Sequence, residues 1–130
     1  MLLRKYMSLL GIGSAQIDLV LEKDTYRAGE TVKGVFHIKG GTIDQQLKRI
    51  ECDLVRRDLL LEKDVVLHTA TILTSSTIQA DAVNEVLFSF KLPEDMEVST
   101  ETQSYRFSTR LYFTQGVASS DHDEIKVVTN

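Results

Sequence analysis

The sequence predicts an all-β chain folded as an antiparallel, immunoglobulin-like β-sandwich, preceded by a short N-terminal helix. Three observations carry that expectation. Apolar and polar residues alternate with a period of two along several segments after Ala15, as a strand with one face in a core requires. Turn residues punctuate those segments: Gly29, the pair Gly40-Gly41, and Pro93, the only proline. No segment after Gly13 reads clearly as an isolated helix, so about seven short strands with polar links fill the remaining length, the pattern of two packed sheets. A closed barrel meets the same pattern.

The elements follow in order. In MLLRKYMSLL, residues Leu2, Leu3, Tyr6, Met7, Leu9 and Leu10 recur at helical spacing. Gly11 and Gly13 end that helix, which sets a boundary between residues 1–13 and a β-domain over 14–130. Arg4 and Lys5 break the apolar run, so it does not read as a signal peptide. A packing helix fits it better than a membrane-surface helix, for which one basic pair is thin support. Ala15, Ile17, Leu19 and Leu21 then alternate with Gln16, Asp18, Val20 and Glu22, and Val32, Gly34, Phe36 and Ile38 alternate with Lys33, Val35, His37 and Lys39. Between these two strands lies Arg27-Ala28-Gly29-Glu30, a type II turn with glycine where φ must be positive. Ala28 occupies the position that favours proline.

Residues Leu47 to Asp58 fit two periods. Leu47, Ile50 and Leu54 have helical spacing, whereas Ile50, Cys52 and Leu54 alternate. The surrounding strands favour a strand here. A loop is expected over residues 56–64, RRDLLLEKD, and a strand rich in β-branched residues over Val65 to Leu73. Val86, Phe88, Phe90 and Leu92 alternate until Pro93, which has no N–H to donate to a ladder. Tyr105, Phe107, Thr109, Leu111 and Phe113 form the next strand, and Ile125 with Val127 a last short one.

Composition narrows the function classes. The chain has 130 residues, 42% hydrophobic and 26% charged, which suits one ordered domain. A net charge of −4 argues against nucleic acid and against an anionic membrane surface, both of which call for a basic face. The single cysteine, Cys52, cannot form an internal disulfide, so a reducing cytoplasm fits best. No apolar run approaches the ~20 residues that span a bilayer.

The sequence carries few residue patterns that point to chemistry. Gly11-Ile12-Gly13 opens like a dinucleotide fingerprint, but Gln16 replaces the third glycine and a strand follows. His37 and His68 sit singly on strands. His122 lies in SSDHDE with Asp121, Asp123 and Glu124. That segment lacks the glycine and distal glutamate of a calcium loop, and reads as a solvated turn rather than a weak metal site. Cys52 falls on the apolar phase, as a core residue would. The sequence therefore predicts no catalytic, cofactor or metal residues. Leu59, Leu60 and Leu61 are unusual between Asp58 and Glu62. They are either an exposed knob for a protein partner or a segment tucked against the sandwich. The strand with Val65, Leu67 and Thr69 has few charges; at an edge, it would accept a strand from a partner or from a second copy, giving a homo-oligomer.

Residues 9–41, LLGIGSAQIDLVLEKDTYRAGETVKGVFHIKGG, resemble the start of the bacterial sporulation-control family of the arrestin-like superfamily. The shared features are Tyr26, the turn residues Gly29 and Glu30, and Gly34 in the outgoing strand. EVLFSFKLPED, with Pro93, and YRFSTRLYFTQGVASSDHDEIKV match later strands, while Ala28 stands where the family usually has proline. The resemblance implies an arrestin-like sandwich, the N-terminal one of two. It also implies a non-catalytic regulatory or scaffold protein of the cytoplasm that presents sheet edges and loops to protein partners. The competing reading is a ligand-binding sandwich, for carbohydrate for instance, with Tyr112 as its outward aromatic.

Overall fold

Side chains that alternate in sequence alternate in burial. The computed structural model describes residues 14–114 and 116–129; the helix expected over residues 1–13 lies outside them. Among the described residues there are eight strands: β1 (Gln16–Leu21), β2 (Thr25–Arg27), β3 (Thr31–Lys39), β4 (Gln45–Asp58), β5 (Lys63–Ile78), β6 (Val83–Lys91), β7 (Gln103–Phe113) and β8 (Gly116–Val128). They form a three-stranded sheet in the order β1-β3-β6 and a five-stranded sheet in the order β2-β8-β7-β4-β5. Two separate sheets exclude the closed barrel.

The inner faces of both sheets meet in one core. Ile17 and Leu19 of β1, Val32, Phe36 and Ile38 of β3, and Phe88 of β6 enter it from one sheet. Ile50, Cys52 and Leu54 of β4, Tyr105, Phe107 and Leu111 of β7, and Ile125 and Val127 of β8 enter from the other. Aromatic edges lock the layers together. Phe36 meets Phe88 with centroids 5.1 Å apart, and Phe107 of the facing sheet meets Phe88 at 5.4 Å and Phe90 at 5.8 Å, each edge-to-face.

The Arg27–Glu30 turn has the predicted geometry. Gly29 has φ 79°, and the Glu30 N–H donates to the Arg27 carbonyl at 3.1 Å. Glu30 also accepts the Arg27 N–H on Oε1 at 2.9 Å and pairs with Lys23. The Lys23 contact, then the Arg27 amide, hold its carboxyl below the usual range. The turn leans on the segment after β6, since the Gly29 N–H donates to the Pro93 carbonyl at 3.1 Å and the Leu92 N–H to the Glu30 carbonyl at 2.9 Å. Ala28→Pro should therefore stabilise the fold by about 0.4–1 kcal/mol by restricting the unfolded chain. A lower denaturation midpoint would refute that assignment.

Leu47 to Asp58 lies in a strand as expected, and three other expectations change. The mixed spacing of Leu47 and Ile50 reflects a bulge: the register shifts between Leu47 and Arg49, so both residues face the core. Residues 56–64 are not a loop but the end of one hairpin, with turn residues 59–62 only. Their charges pair across strands, Arg57 to Asp64 at 3.3 Å and Arg106 to Asp64 at 3.0 Å, which keeps polar residues in the ladder. The segment SSDHDE is not a solvated turn, because β8 runs through it. Lastly, the sheets are not wholly antiparallel: the short β2 pairs in parallel with the end of β8, Tyr26 opposite Val127.

Candidate functional site

Sheet order leaves β5 at the edge of the five-stranded sheet, with β4 as its neighbour. Between Lys63 and Ile78 it carries charge only at its start, on Lys63 and Asp64, apart from His68. From His68 to Leu73 it pairs in unbroken register with β4, bounded by shifts at Leu54/Val55 and Leu47/Arg49. This is a regular, weakly charged edge that offers unpaired backbone groups.

The hairpin tip adjoins that edge. Asp58 shapes it: its Oδ1 accepts the N–H groups of both Leu60 and Leu61 at 3.0 Å. Glu62 then adopts a positive φ of 50°. The tip therefore points its leucines outward, Leu60 77% and Leu61 72% exposed, with Leu59 also open. They do not tuck onto the sheet.

The structure divides the other residues predicted for partner contact. Val65 and Leu67 are half-buried, and Leu67 packs against the core. Thr69 is exposed but donates its hydroxyl to Asp53 at 2.7 Å. The register shift opposite Leu67 breaks the period, so the outward apolar side chains of β5 are Val66 and Leu73. The outer face of the three-stranded sheet carries a second apolar row. Val20, Val35 and Leu87 lie side by side in register, and Leu87 is 82% exposed. Local alternation already sets Val20, Val35 and Leu87 on the phase opposite the core residues; their alignment into one row depends on strand order and register, which are long-range information.

The outer face of β4 and β7 is self-contained. Arg49 lies over the Tyr112 ring at 3.9 Å and bonds Glu51 at 2.6 Å. Arg110 joins Glu51 at 3.2 Å, Asp53 at 3.0 Å and the Tyr112 hydroxyl at 3.2 Å. Arg49 first, then Arg110, hold the Glu51 carboxyl below its usual range. The Tyr112 face is thus occupied by Arg49 rather than open to a sugar.

Strand alternation also splits residues 121–124. His122 and Glu124 face outward, and the His122 Nδ1 lies 2.9 Å from the Ser108 hydroxyl. Asp121 and Asp123 turn toward Asp18 of β1, and the three carboxylates come within 4.8 Å of one another. Asp121 already spends one oxygen on the Leu19 N–H at 2.9 Å. Cys52 is buried, and that burial pushes its thiol up to about 11, the setting of an inert core thiol rather than a nucleophile. His37 lies 3.5 Å from Glu85 on the adjacent strand. Gly29, Glu30 and Pro93 meet at the turn described above, and Gly34 sits in β3 opposite Leu21.

Comparisons with known proteins give the chain its relatives. The profile of a family described as SpoOM protein matches residues 3–130. The sporulation-control protein spo0M of Bacillus subtilis (strain 168) is 34% identical over 130 residues, covering 95% of this chain and 50% of that protein. The crystal structure of Spo0M from Bacillus subtilis superposes with a TM-score of 0.83 at 34% identity, over 92% of this chain and 51% of that one. A Niemann-Pick type C2 protein from Japanese carpenter ant aligns with a TM-score of 0.57 at 8% identity, over 88% of this chain and 93% of that one. That last likeness is one of fold alone. The chain spans about half the length of the curated relative it matches.

Proposed function

We propose that this chain, which belongs to the Spo0M family, is a non-catalytic regulatory or scaffold protein of sporulation control that acts by binding other proteins. In this reading, residues 14–130 form one arrestin-like sandwich working in the cytoplasm. The regulatory role rests on the family. The mode of action rests on one observation: a long, weakly charged edge strand, β5, joined to an exposed leucine tip.

The physics of that pairing favours recognition. A partner strand laid along His68–Leu73 gains main-chain hydrogen bonds in a register that β4 already keeps regular. Leu59, Leu60 and Leu61 add apolar contact beside it, where the bonds alone would bind any strand. A second copy of the chain meets the same requirement, and two β5 edges would join the sheets continuously. No helix among the described residues is long and apolar enough to cross a membrane.

Replacing all three leucines by serine tests the tip. Exposed substitutions of this kind should move stability by no more than about 0.5 kcal/mol each, while retention of the native partner falls. A large loss of stability with partner binding intact would make the leucines structural instead.

A further inference from the structure

Among the described residues β1 has one ladder partner, β3, and its other side faces β8 of the opposite sheet. That side is not open. The Ala15 N–H donates to Gln45 Oε1 at 2.8 Å, the Ile17 N–H to Ser119 Oγ at 3.2 Å, and the Leu19 N–H to Asp121 Oδ2 at 2.9 Å. These are alternate amides, the set that a neighbouring strand would take. Side chains of β4 and β8 do that work, so the two sheets are stitched together along this seam.

The middle of the seam is acidic. Asp18, Asp121 and Asp123 crowd within 4.8 Å, and Asp123 Oδ2 is buried with no hydrogen-bond partner among the described residues. An ionised oxygen in that position lacks both water and a donor, and sits against two further carboxylates. Burial, then the hydrogen bond and charge of Asp121, then the charge of Asp18, push the Asp123 carboxyl up to about 7. The surrounding elements offer little relief. Lys23, which lines the same cleft with Asp24, His122 and Glu124, is paired with Glu30. From β4 the facing group is the Cys52 thiol, neutral in this range, with the Thr109 hydroxyl of β7 bonded to its sulfur at 3.4 Å.

We propose that the β1–β8 seam is a proton-dependent latch: it closes while Asp121 and Asp123 share a proton, and loosens when the proton leaves, freeing the outer edge of β1. Asp121 is the hinge of the coupling, because it receives the shared proton and the Leu19 N–H together. The sign follows from linkage. The closed seam binds a proton that the open seam gives up at the ordinary carboxylate range near 3.9. Opening is therefore favoured as pH rises from that value and levels off above about 7. The latch converts a change of acidity into a further available sheet edge, beside those of β5 and β6.

Amide hydrogen exchange across pH tests it, read as protection factors so that the intrinsic pH dependence of exchange cancels. Between pH 5.5 and 8.5, protection at Ile17 and Leu19 should fall roughly ten- to thirtyfold in the wild-type chain, while Phe36 in β3 stays constant. Asp123→Asn, neutral at every pH, should remove the trend. Asp18→Asn takes away one repelling charge and should move the midpoint to lower pH. Constant protection at Ile17 and Leu19 in the wild type, or the same trend in Asp123→Asn, would overturn the latch. Should Asp123→Asn fail to fold, an unmoved midpoint in Asp18→Asn overturns it equally.

Discussion

Truncating Phe107 to alanine should destabilise the fold by about 3–5 kcal/mol, the usual range for a buried phenylalanine. Phe107 is 1% exposed in β7 and makes edge-to-face contacts with Phe88 and Phe90 of β6. Those contacts cross from one sheet to the other, so the cavity left behind cannot close unless the layers shift. Domains of this size are stable by about 5–15 kcal/mol in total, and the loss would be a large share of it. Denaturant unfolding of the variant measures the effect directly. A change below about 1 kcal/mol would mean that the sheets do not meet through this ring.

Gly34→Ala should cost about 1–3 kcal/mol for the opposite reason, an excess of atoms. A Cβ at Gly34 would sit 2.5 Å from the Val20 carbonyl oxygen and 3.3 Å from the Leu21 Cα. Both are backbone atoms of β1, so relief requires the strand to move. Leu21 pairs with Gly34 where β1 ends, and the next amide, that of Glu22, bonds the Lys33 carbonyl at 3.0 Å. Alanine here would lift the end of β1 from β3. A melting temperature equal to that of the wild type would show that the close approach is not needed.

Much of the fold was legible because strand burial is local. Tyr105, Phe107, Thr109, Leu111 and Phe113 alternate in the sequence and are all buried in β7. Gly29 announces a positive φ that the turn then shows. Misreadings arose where local polarity and long-range pairing diverge. Arg57 and Asp64 resemble loop residues until they face each other across β4 and β5. Asp121 and Asp123 resemble a turn until β1 supplies an amide to one of them. Val65, Leu67 and Thr69 share one phase on paper, but a register shift in the pairing of β4 with β5 breaks it. Which strand becomes an edge depends on partners far away in the chain, and nothing within β5 announces it.

The recognition surface can be probed by placing a photo-crosslinking residue at Thr71, exposed at the centre of the regular β5 edge, and irradiating in the native cell. Recognition through β5 should give a discrete protein adduct at Thr71, either a partner or a second copy, that disappears when Thr69 and Leu73 are both replaced by lysine. A residue at Ser89, on the outer face of the other sheet, should give none. Adducts at Ser89 and none at Thr71 would contradict recognition through β5.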